Sequence, residues 1–475
     1  HRDLHRLIRR QRQMCIRDRL LDHIMPENYK FADEVKPTDS LVRLRGWIYR
    51  IRTMKKKIFI VLRDASGLIQ CVASKEELPE KVWNNLENAA VENSIIIEGK
   101  PVEDNRAINN VEVHITDFKF IHKGEVFPIS KDQSQEFIRD NAHLFLRSQK
   151  SVNVMKVKAS VLRAAREWFY NNSFYETTPP ILTGSACEGG ATLFNLKYFD
   201  KTAYLSQSAQ LYLEALIYGL EKVYSVTPSF RAEKMRTKRH VNEFWHIEGE
   251  EAFVDFEGNM KIQEELVTYI VHYVLENNKK ELKALNRDTT ELEKIKTPFK
   301  RITYKEAINI LNDNGFNLKW DDDIKTEEER TLSKIIGEPF FITMYPAHHK
   351  PFYVKIDQKD PKWCFSADLI APEGFGEIIT GGQREDDLET LIRRIEEEGW
   401  STEDYKWYID LRKYGSVPHS GFGLGAERIT WWLCGLDSIQ ETLPFPRTRN
   451  RVYPCLLYTS PSPRDLSTSR MPSSA

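Results

Sequence analysis

Cysteine is scarce in this sequence, and long apolar runs are missing. The six cysteines among 475 residues are scattered, and none forms a Cys-x-x-Cys pair, so neither a disulfide framework nor a zinc site is indicated. No run of 18 or more apolar residues occurs, and the first residues lack the apolar stretch of a signal peptide. These absences argue against a membrane span and against secretion, and we expect a soluble protein of the reducing cytoplasm.

Both ends of the chain differ from the remainder. Residues 1–19 and 455–475 resemble translated sequencing-adaptor read-through, and we interpret them as artefacts that carry no function. Setting aside their 9 basic and 3 acidic residues changes the net charge from −1 to −7. Nucleic-acid binding would therefore require a local basic patch. The length and the 41% apolar content predict two or three domains with substantial cores.

A basic, strand-rich region lies within residues 20–127. Residues 41–63 contain eight Lys or Arg and no acid, and their apolar residues alternate as in strands. Some five short strands predict a closed barrel, and the OB-fold is the barrel that binds single-stranded nucleic acid. Phe59 then stands among cations, where it could stack an unpaired base, or it could simply be a core residue of a solvated barrel. Residues 128–150 are interpreted as a hinge or linker, and Ser151 is predicted to cap the first helix of a second domain, 151–454.

The stretch 229–250 is predicted to be a hairpin with a chemically mixed face. Strand alternation directs Arg231 and Glu233 to one side, and it places Phe244 on a shared face with the acids of the return strand. Trp245 and Ile247 are expected to point the other way, toward a core. An arginine, a phenyl ring and carboxylates below a cationic loop suit an anionic, aromatic ligand such as a nucleotide. The alternative is an exposed hairpin with solvated charges.

Two further motifs occupy the last third of the chain. Asp368 and Glu377 flank a Pro/Gly-rich loop and form a candidate Mg²⁺ pair, since Mg²⁺ prefers one or two carboxylates together with phosphate oxygens. Alternate glycines from Gly421 to Gly425 would leave one strand face bare, so that a flat ligand could lie against the backbone, and Arg428 follows at a helix entry. The pattern is neither Gly-x-Gly-x-x-Gly nor a P-loop.

Taken together, three blocks resemble the three motifs of the class II aminoacyl-tRNA synthetases. The blocks are the helix, strand and Pro180; Phe230-Arg231-x-Glu233 with its loop and Phe244; and Gly421-x-Gly-x-Gly-x-Glu-Arg428. With an N-terminal OB-fold, the chain is similar to the aspartyl, asparaginyl and lysyl subclass over residues 30–454, and most of all to its archaeal-type asparaginyl members. The resemblance implies an α+β protein: an OB-fold β-barrel, a catalytic domain whose antiparallel sheet is flanked by helices, and a homodimer.

The resemblance also implies roles for individual residues. Arg231 and Arg428 would be catalytic, and ATP would contact Arg231, Glu233, Arg239, His240, Phe244, Glu377, Gly425 and Arg428. The amino acid would contact Glu188, Ser208, Gln210, Glu248 and Arg384, while Mg²⁺ would bind Asp368 and Glu377. Phe59 and Gln70 would read the central anticodon base, and Arg50 would also bind the anticodon.

Two positions bear on the choice between asparagine and aspartate. Aspartyl members of the family have Lys where this chain has Leu213 and Asp where it has Glu248. A buried Glu would repel a substrate carboxylate and could accept a hydrogen bond from an amide. The resemblance therefore implies ATP-dependent activation of L-asparagine and its transfer to tRNA(Asn).

Three alternatives remain open at this point. One is an aspartyl enzyme, including one that charges either tRNA, and another is an asparagine-synthetase-like paralogue, which typically lacks the barrel. The third is an RNA-binding protein without catalysis. The basic stretch 41–63 disfavours the paralogue, and the intact Arg231, Glu233, Phe244 and Arg428 disfavour the loss of ATP chemistry.

Overall fold

The structure is a computed structural model. It describes residues 29–130, 133–184, 186–187, 192–233 and 237–452, so the two end segments interpreted as artefacts, as well as Glu188, lie outside the described residues. The chain divides into two compact units between residues 132 and 133. Within the described ranges, no helix has the length and apolar character needed to cross a bilayer.

The first unit is a closed five-stranded barrel, as the strand pattern predicts. Its strands follow the order β1-β2-β3-β5-β4. Ile58, Ile60 and Leu62 fill the interior, while Phe59, between two of them, faces outward and is half-buried. Alternation along each strand therefore builds the core of the barrel and its outer surface at the same time. The strands are β1 Val42–Thr53, β2 Lys57–Arg63, β3 Leu68–Ser74, β4 Ser94–Glu103 and β5 Val111–His122, and helix α1 is Glu80–Glu87.

The second unit is built on an eight-stranded sheet with the order β12-β13-β14-β15-β16-β11-β10-β6. Among these described strands the five central pairings are antiparallel, and the pairings at both edges, β12 with β13 and β10 with β6, are parallel. A small three-stranded sheet with the order β7-β9-β8 is formed by the part of the chain between β6 and β10. The strands are β6 Tyr175–Glu176, β7 Leu182–Thr183, β8 Asn195–Tyr198, β9 Lys201–Leu205, β10 Lys222–Phe230, β11 Glu243–Ala252, β12 Lys300–Thr303, β13 Phe340–Pro346, β14 Trp363–Ala371, β15 Gly376–Gln383 and β16 His419–Gly425.

Helices cover this sheet, and the longest packs one apolar stripe against it. Val154, Val157 and Val161 recur at helical spacing and are buried in one cluster with Ile270 of the next long helix and Ile247 of β11. The helices are α2 Gln135–Asp140, α3 Ala142–Phe145, α4 Gln149–Asn171, α5 Gln210–Leu220, α6 Phe256–Asn277, α7 Lys279–Ala284, α8 Tyr304–Asp313, α9 Thr326–Ile336, α10 Leu388–Glu397, α11 Lys406–Lys413 and α12 Ala426–Cys434.

Three expectations about local structure need correction. Residues 135–140 and 142–145 are helical, although they fall in the stretch interpreted as a linker. The N-cap of α4 is Ser148, whose hydroxyl accepts a hydrogen bond from the Ser151 N–H, so the helix begins one turn earlier than predicted. Trp245 lies opposite the Phe244 face but is 38% exposed, whereas Ile247 is fully buried.

The cap position can be tested by two serine substitutions. Replacing Ser148 with Ala should reduce the free energy of unfolding by about 1 kcal/mol, because an N-terminal amide of α4 loses its acceptor. Replacing Ser151 with Ala should cost only a few tenths of a kcal/mol, since its side chain only shares a hydrogen bond with Ser148. Urea unfolding of both variants measures the difference. Equal losses would contradict the assignment of the cap.

Candidate active site

A cavity of about 310 Å³ opens in the second unit over β11, β15 and β16. It brings together twelve of the predicted site residues from widely separated parts of the sequence, which is the convergence of polar groups expected of a binding site. Those residues are Ser208, Gln210, Arg231, Glu233, Arg239, His240, Phe244, Glu248, Glu377, Arg384, Gly425 and Arg428. Glu188 lies outside the described residues, and Asp368 is not among the described residues that line the cavity.

Arg231 and Phe244 form one wall of the cavity. The Arg231 guanidinium carbon lies 5.5 Å from the centroid of the Phe244 ring. Asn242 braces the turn between them, donating its side-chain amide to the Arg231 carbonyl at 2.6 Å and to the Glu233 carbonyl at 3.1 Å. Arg231, Glu233 and Phe244 therefore present a cation, a carboxylate and an aromatic face to the cavity. Because β10 ends at Phe230, Arg231 and Glu233 lie beyond the strand, and the predicted strand alternation does not account for their positions.

A second wall is rich in ion pairs. Arg428 binds Glu377 through its carboxylate at 2.6 Å and through its carbonyl at 3.0 Å. Arg239 binds Glu329 at 2.7 Å. Burial opposes the ionisation of Glu377, yet Arg428, Lys350 and Arg239 together lower its pKa to about 2. Cations therefore dominate this end of the cavity, which suits a polyanion such as a triphosphate.

His240 stands at the same end. Burial lowers its pKa, and the neighbouring Arg428 and Arg239 lower it further, although Glu233 acts in the opposite direction. The imidazole is therefore biased toward its neutral form, and it can offer a hydrogen bond without adding a full charge to the site.

Glu248 lies at the opposite end, beside the start of α5. Its carboxylate accepts a short hydrogen bond from the Ser208 hydroxyl and is also bonded to the Ala209 N–H, with a nearest distance of 3.0 Å. Burial raises the pKa of Glu248, and these two donors offset the effect in part. The side chain at Leu213, which also lines the cavity, supplies no cation here. This end of the cavity therefore carries an acceptor for a neutral donor such as an amide NH₂.

Arg384 reaches the cavity from a buried charge network that the sequence reasoning missed. Its guanidinium donates to both oxygens of Glu250, each at 2.9 Å. Behind it, Glu214 of α5 accepts from Arg412 at 2.7 Å and from the Tyr408 hydroxyl at 2.6 Å. The same carboxylate lies 3.0 Å from the amide nitrogen of Gln210 and 3.1 Å from Nε2 of His419.

The carboxylates of this network are compensated by cations. Burial opposes ionisation of Glu214, but Arg412 and His419 lower its pKa, and the two carboxylates face two guanidiniums. A metal site could be suspected here, because the ligand atoms of Glu214, Glu250 and His419 lie close together. Arg384 and Arg412, however, already form ion pairs with both carboxylates. The i, i+4 spacing of Gln210 and Glu214 was the local signal that could have linked Glu214 to the site.

The alternate glycines of β16 have a role different from the predicted one. A Cβ at Gly421 would lie 1.8 Å from the Glu250 carboxylate, and a Cβ at Gly423 would lie 2.7 Å from the His246 ring. Side chains of β11 therefore occupy the bare face at Gly421 and part of it at Gly423, while Gly423 and Gly425 still line the cavity. The absence of a side chain at Gly421 lets the Glu250 carboxylate lie close to β16, and the ion pair with Glu250 then positions Arg384.

Each carboxylate of the predicted Mg²⁺ site, Asp368 and Glu377, is paired with a cationic side chain. Asp368 on β14 is buried, and its two oxygens lie 2.8 and 3.1 Å from the Lys350 ammonium. Burial raises the pKa of Asp368, Lys350 favours its ionised form, and the negative charge of Glu377 raises the pKa further. Two carboxylates are ligands of the kind that Mg²⁺ prefers. Binding of the ion would require the Lys350 and Arg428 side chains to move away from these carboxylates.

The three predicted anticodon residues share the outer face of the barrel. Phe59 lies opposite Arg52 of β1, and Val61, two residues on, lies opposite both Arg50 and Gln70. Cross-strand partners point the same way, so an aromatic ring, two arginines and an amide form one surface. The Gln70 amide nitrogen is held 2.5 Å from Glu112 of β5.

The fold and the cavity define the class of protein: a synthetase with a class II catalytic domain joined to an OB-fold. The profile of the OB-fold nucleic acid binding domain matches residues 42–121. The profile described as tRNA synthetases class II (D, K and N) matches residues 134–449. The chain belongs to this class II synthetase family.

Among individual proteins of this family, the chain is more similar to asparaginyl than to aspartyl enzymes. The asparagine–tRNA ligase of Thermococcus gammatolerans is 52% identical over 426 residues, which is 89% of this chain and 99% of that protein. The crystal structure of asparaginyl-tRNA synthetase from Pyrococcus horikoshii, complexed with asparaginyl-adenylate, is 49% identical with a TM-score of 0.88, covering 90% of this chain and 100% of that one. An aspartyl-tRNA synthetase from Entamoeba histolytica is 26% identical with a TM-score of 0.77, covering 89% of this chain and 92% of that one.

Removing one member of the buried network should be costly. Replacing Arg412 with Met leaves the fully buried Glu214 without its main counter-charge, so the free energy of unfolding should fall by about 3–5 kcal/mol. Replacing Arg393 with Met, which breaks an exposed pair with Glu397, should change it by less than about 1 kcal/mol. Guanidinium unfolding measures both. A small loss for Arg412 would mean that the network does not depend on this charge.

Proposed function

We propose that this protein activates L-asparagine with ATP, forming asparaginyl-adenylate and pyrophosphate, and then transfers the asparaginyl group to the terminal ribose of tRNA(Asn). The observation that carries the proposal is the Glu248 carboxylate, buried at the end of the cavity and held by Ser208 and the Ala209 N–H. A carboxylate in this position accepts from an amide NH₂ and repels a carboxylate. The asparagine–tRNA ligases among its relatives support asparagine over aspartate.

Amino-acid activation needs positioning and charge neutralisation. The substrate carboxylate attacks the α-phosphorus of ATP, the bond to pyrophosphate breaks, and no side-chain nucleophile is required. Arg231 would stabilise the charge that develops on the α-phosphate, and Phe244 beside it would stack on adenine. Glu233 would accept from the adenine amino group. Arg428, Arg239 and His240 would hold the outer phosphates from the second wall.

The amino acid would lie at the other end of the cavity. Glu248 would accept from its side-chain NH₂, and Arg384, held by Glu250, would donate to its side-chain oxygen. Ser208 and Gln210, with Glu188, would surround the α-amino group. Because Arg384 is neutralised by Glu250, a neutral side chain preserves the charge balance of the pocket, whereas a carboxylate would add an uncompensated charge beside Glu248.

We also propose that Mg²⁺ takes part, held by Asp368 and Glu377. When bound, the ion would neutralise and orient the phosphates of ATP. The Asp368 and Glu377 carboxylates supply the hard oxygen ligands that such an ion prefers, and each is now paired with a cation whose place the ion would take. On the barrel, Arg50, Phe59 and Gln70 would read the central anticodon base by stacking and hydrogen bonding.

A homodimer and a cytoplasmic location complete the proposal. The dimer rests on the family resemblance. The cytoplasmic location is supported by the four cysteines among the described residues, Cys71, Cys187, Cys364 and Cys434, which are all buried free thiols, as is usual in a reducing compartment.

Glu248 is the first residue to test. Replacing it with Gln should lower kcat/KM for asparagine about tenfold or more, because a charge-assisted hydrogen bond is lost. The ratio of aspartate-driven to asparagine-driven ATP/pyrophosphate exchange should rise, since the repulsion is removed. Glu243→Gln, on the same strand but outside the cavity lining, serves as the control. Exchange driven by aspartate and not by asparagine in the unmodified protein would overturn the proposal.

Arg231 tests the phosphate chemistry separately from tRNA binding. Replacing it with Ala should reduce ATP/pyrophosphate exchange by about 10²-fold or more, the usual effect of deleting a group that stabilises transition-state charge. Filter binding of tRNA should be unchanged, because the proposed anticodon surface belongs to the barrel unit. Arg393→Ala, at an exposed site on α10, controls for the loss of a cation. Exchange that survives in Arg231→Ala would refute the phosphate role.

A further inference from the structure

Lys350 lies between the cavity and one of its proposed metal ligands. Lys350 lines the cavity, whereas Asp368 is buried and is not among the described residues that line it. The ammonium contacts both Asp368 oxygens, at 2.8 and 3.1 Å. A cation arriving from the cavity therefore meets Lys350 before it can reach Asp368.

The backbone of Lys350 is anchored while its side chain is held by replaceable contacts. Arg394 donates hydrogen bonds to the Lys350 carbonyl at 2.8 Å and to the Ala347 carbonyl at 3.1 Å. The ammonium also lies 3.9 Å from the centroid of the Tyr345 ring, an attractive non-covalent contact that a change of side-chain rotamer can break. Lysine has a flexible four-carbon stem and a point charge, so the ammonium can leave Asp368 without moving the backbone.

The other proposed ligand has the same arrangement. Glu377 is paired with Arg428, which also lines the cavity and is expected to meet the outer phosphates. A divalent ion that occupies either carboxylate competes with a cationic side chain for the same oxygen lone pairs. The displaced side chains already face the cavity, where the negative charge of ATP would receive them.

We propose that Lys350 is a built-in counter-ion of the metal site: it holds Asp368 until a divalent ion displaces it, and its ammonium then turns to the triphosphate. This role rests on the proposed ATP and Mg²⁺ chemistry. Binding of the divalent ion and release of Lys350 are thermodynamically linked, so the ion pair weakens binding of the ion by itself and favours its binding together with ATP.

Direct titration of the full chain with Mn²⁺, followed by electron paramagnetic resonance, tests the proposal. In Lys350→Gln the competitor is gone, so Mn²⁺ alone should bind about tenfold more tightly than to the unmodified protein. In Lys350→Arg, whose planar fork suits a carboxylate better, Mn²⁺ should bind more weakly. Lys355→Gln removes a similarly buried lysine paired with Asp386 outside the cavity, and it should leave Mn²⁺ binding unchanged.

The same titration with ATP present gives a second readout. The gain in Mn²⁺ affinity on adding ATP should be several-fold smaller in Lys350→Gln than in the unmodified protein, because no ammonium is released to the phosphates. Unchanged or weaker Mn²⁺ binding in Lys350→Gln, or equal changes in the Gln and Arg variants, would overturn the counter-ion role. An unmodified protein that binds no Mn²⁺ even with ATP would overturn it as well. Asparagine-dependent exchange in the unmodified protein separates these failures from failure of the proposed function.

Discussion

The site depends on carboxylates that are buried and must be compensated. Glu248 and Glu250 project from one face of β11 into the cavity, and Glu214 lies behind them, each almost completely removed from solvent. An isolated carboxylate in such a place costs several kcal/mol, so the fold must bring cations and donors to these positions. Arg384, Arg412, Ser208 and the first turn of α5 are arranged around this requirement.

This requirement explains why distant segments meet. Arg412 lies 198 residues from Glu214 in sequence, and Arg384 lies 134 residues from Glu250. The central antiparallel pairings put β15 and β16 beside β11, which brings the arginine and the acids within hydrogen-bonding distance. The glycines of β16 leave room for the Glu250 carboxylate. The strand order and the small residues on β16 therefore both favour the ion pair between Arg384 and Glu250.

Local periodicity made much of this predictable. Alternation along β11 correctly placed Phe244 and Glu248 on one face with Ile247 on the other, and alternation in the barrel separated Phe59 from Ile58 and Ile60. The family resemblance supplied the roles that spacing alone left open. Partners across the sheet were not predictable, because neither Arg412 nor Lys350 stands in a motif that indicates its carboxylate.

The glycine-rich strand β16 also shows that the sequence does not indicate which side chains meet across the sheet. Its pattern correctly indicates that one face must be bare, but only the pairing with β11 shows that the Glu250 and His246 side chains use part of that space. Trp245 is a similar case: alternation gives its direction, while its exposure depends on which elements cover that end of the sheet. Sequence periodicity thus determines orientation, and tertiary pairing determines what each side chain meets.

The two ends of the cavity use ion pairs of different kinds. At the proposed amino-acid end, Arg384 lines the cavity but is almost completely buried, and its bidentate pair with Glu250, with two N–H donors to one carboxylate, is suited to a permanent geometry. At the phosphate end, Lys350 and Arg428 line the cavity and each holds a carboxylate that a divalent ion could also use. A pocket that must distinguish an amide from a carboxylate needs fixed charges, because a mobile cation could adapt to either side chain. A pocket that must accept and release a highly charged phosphate needs the opposite, and at the proposed phosphate end each carboxylate is paired with a cation that a divalent ion could replace.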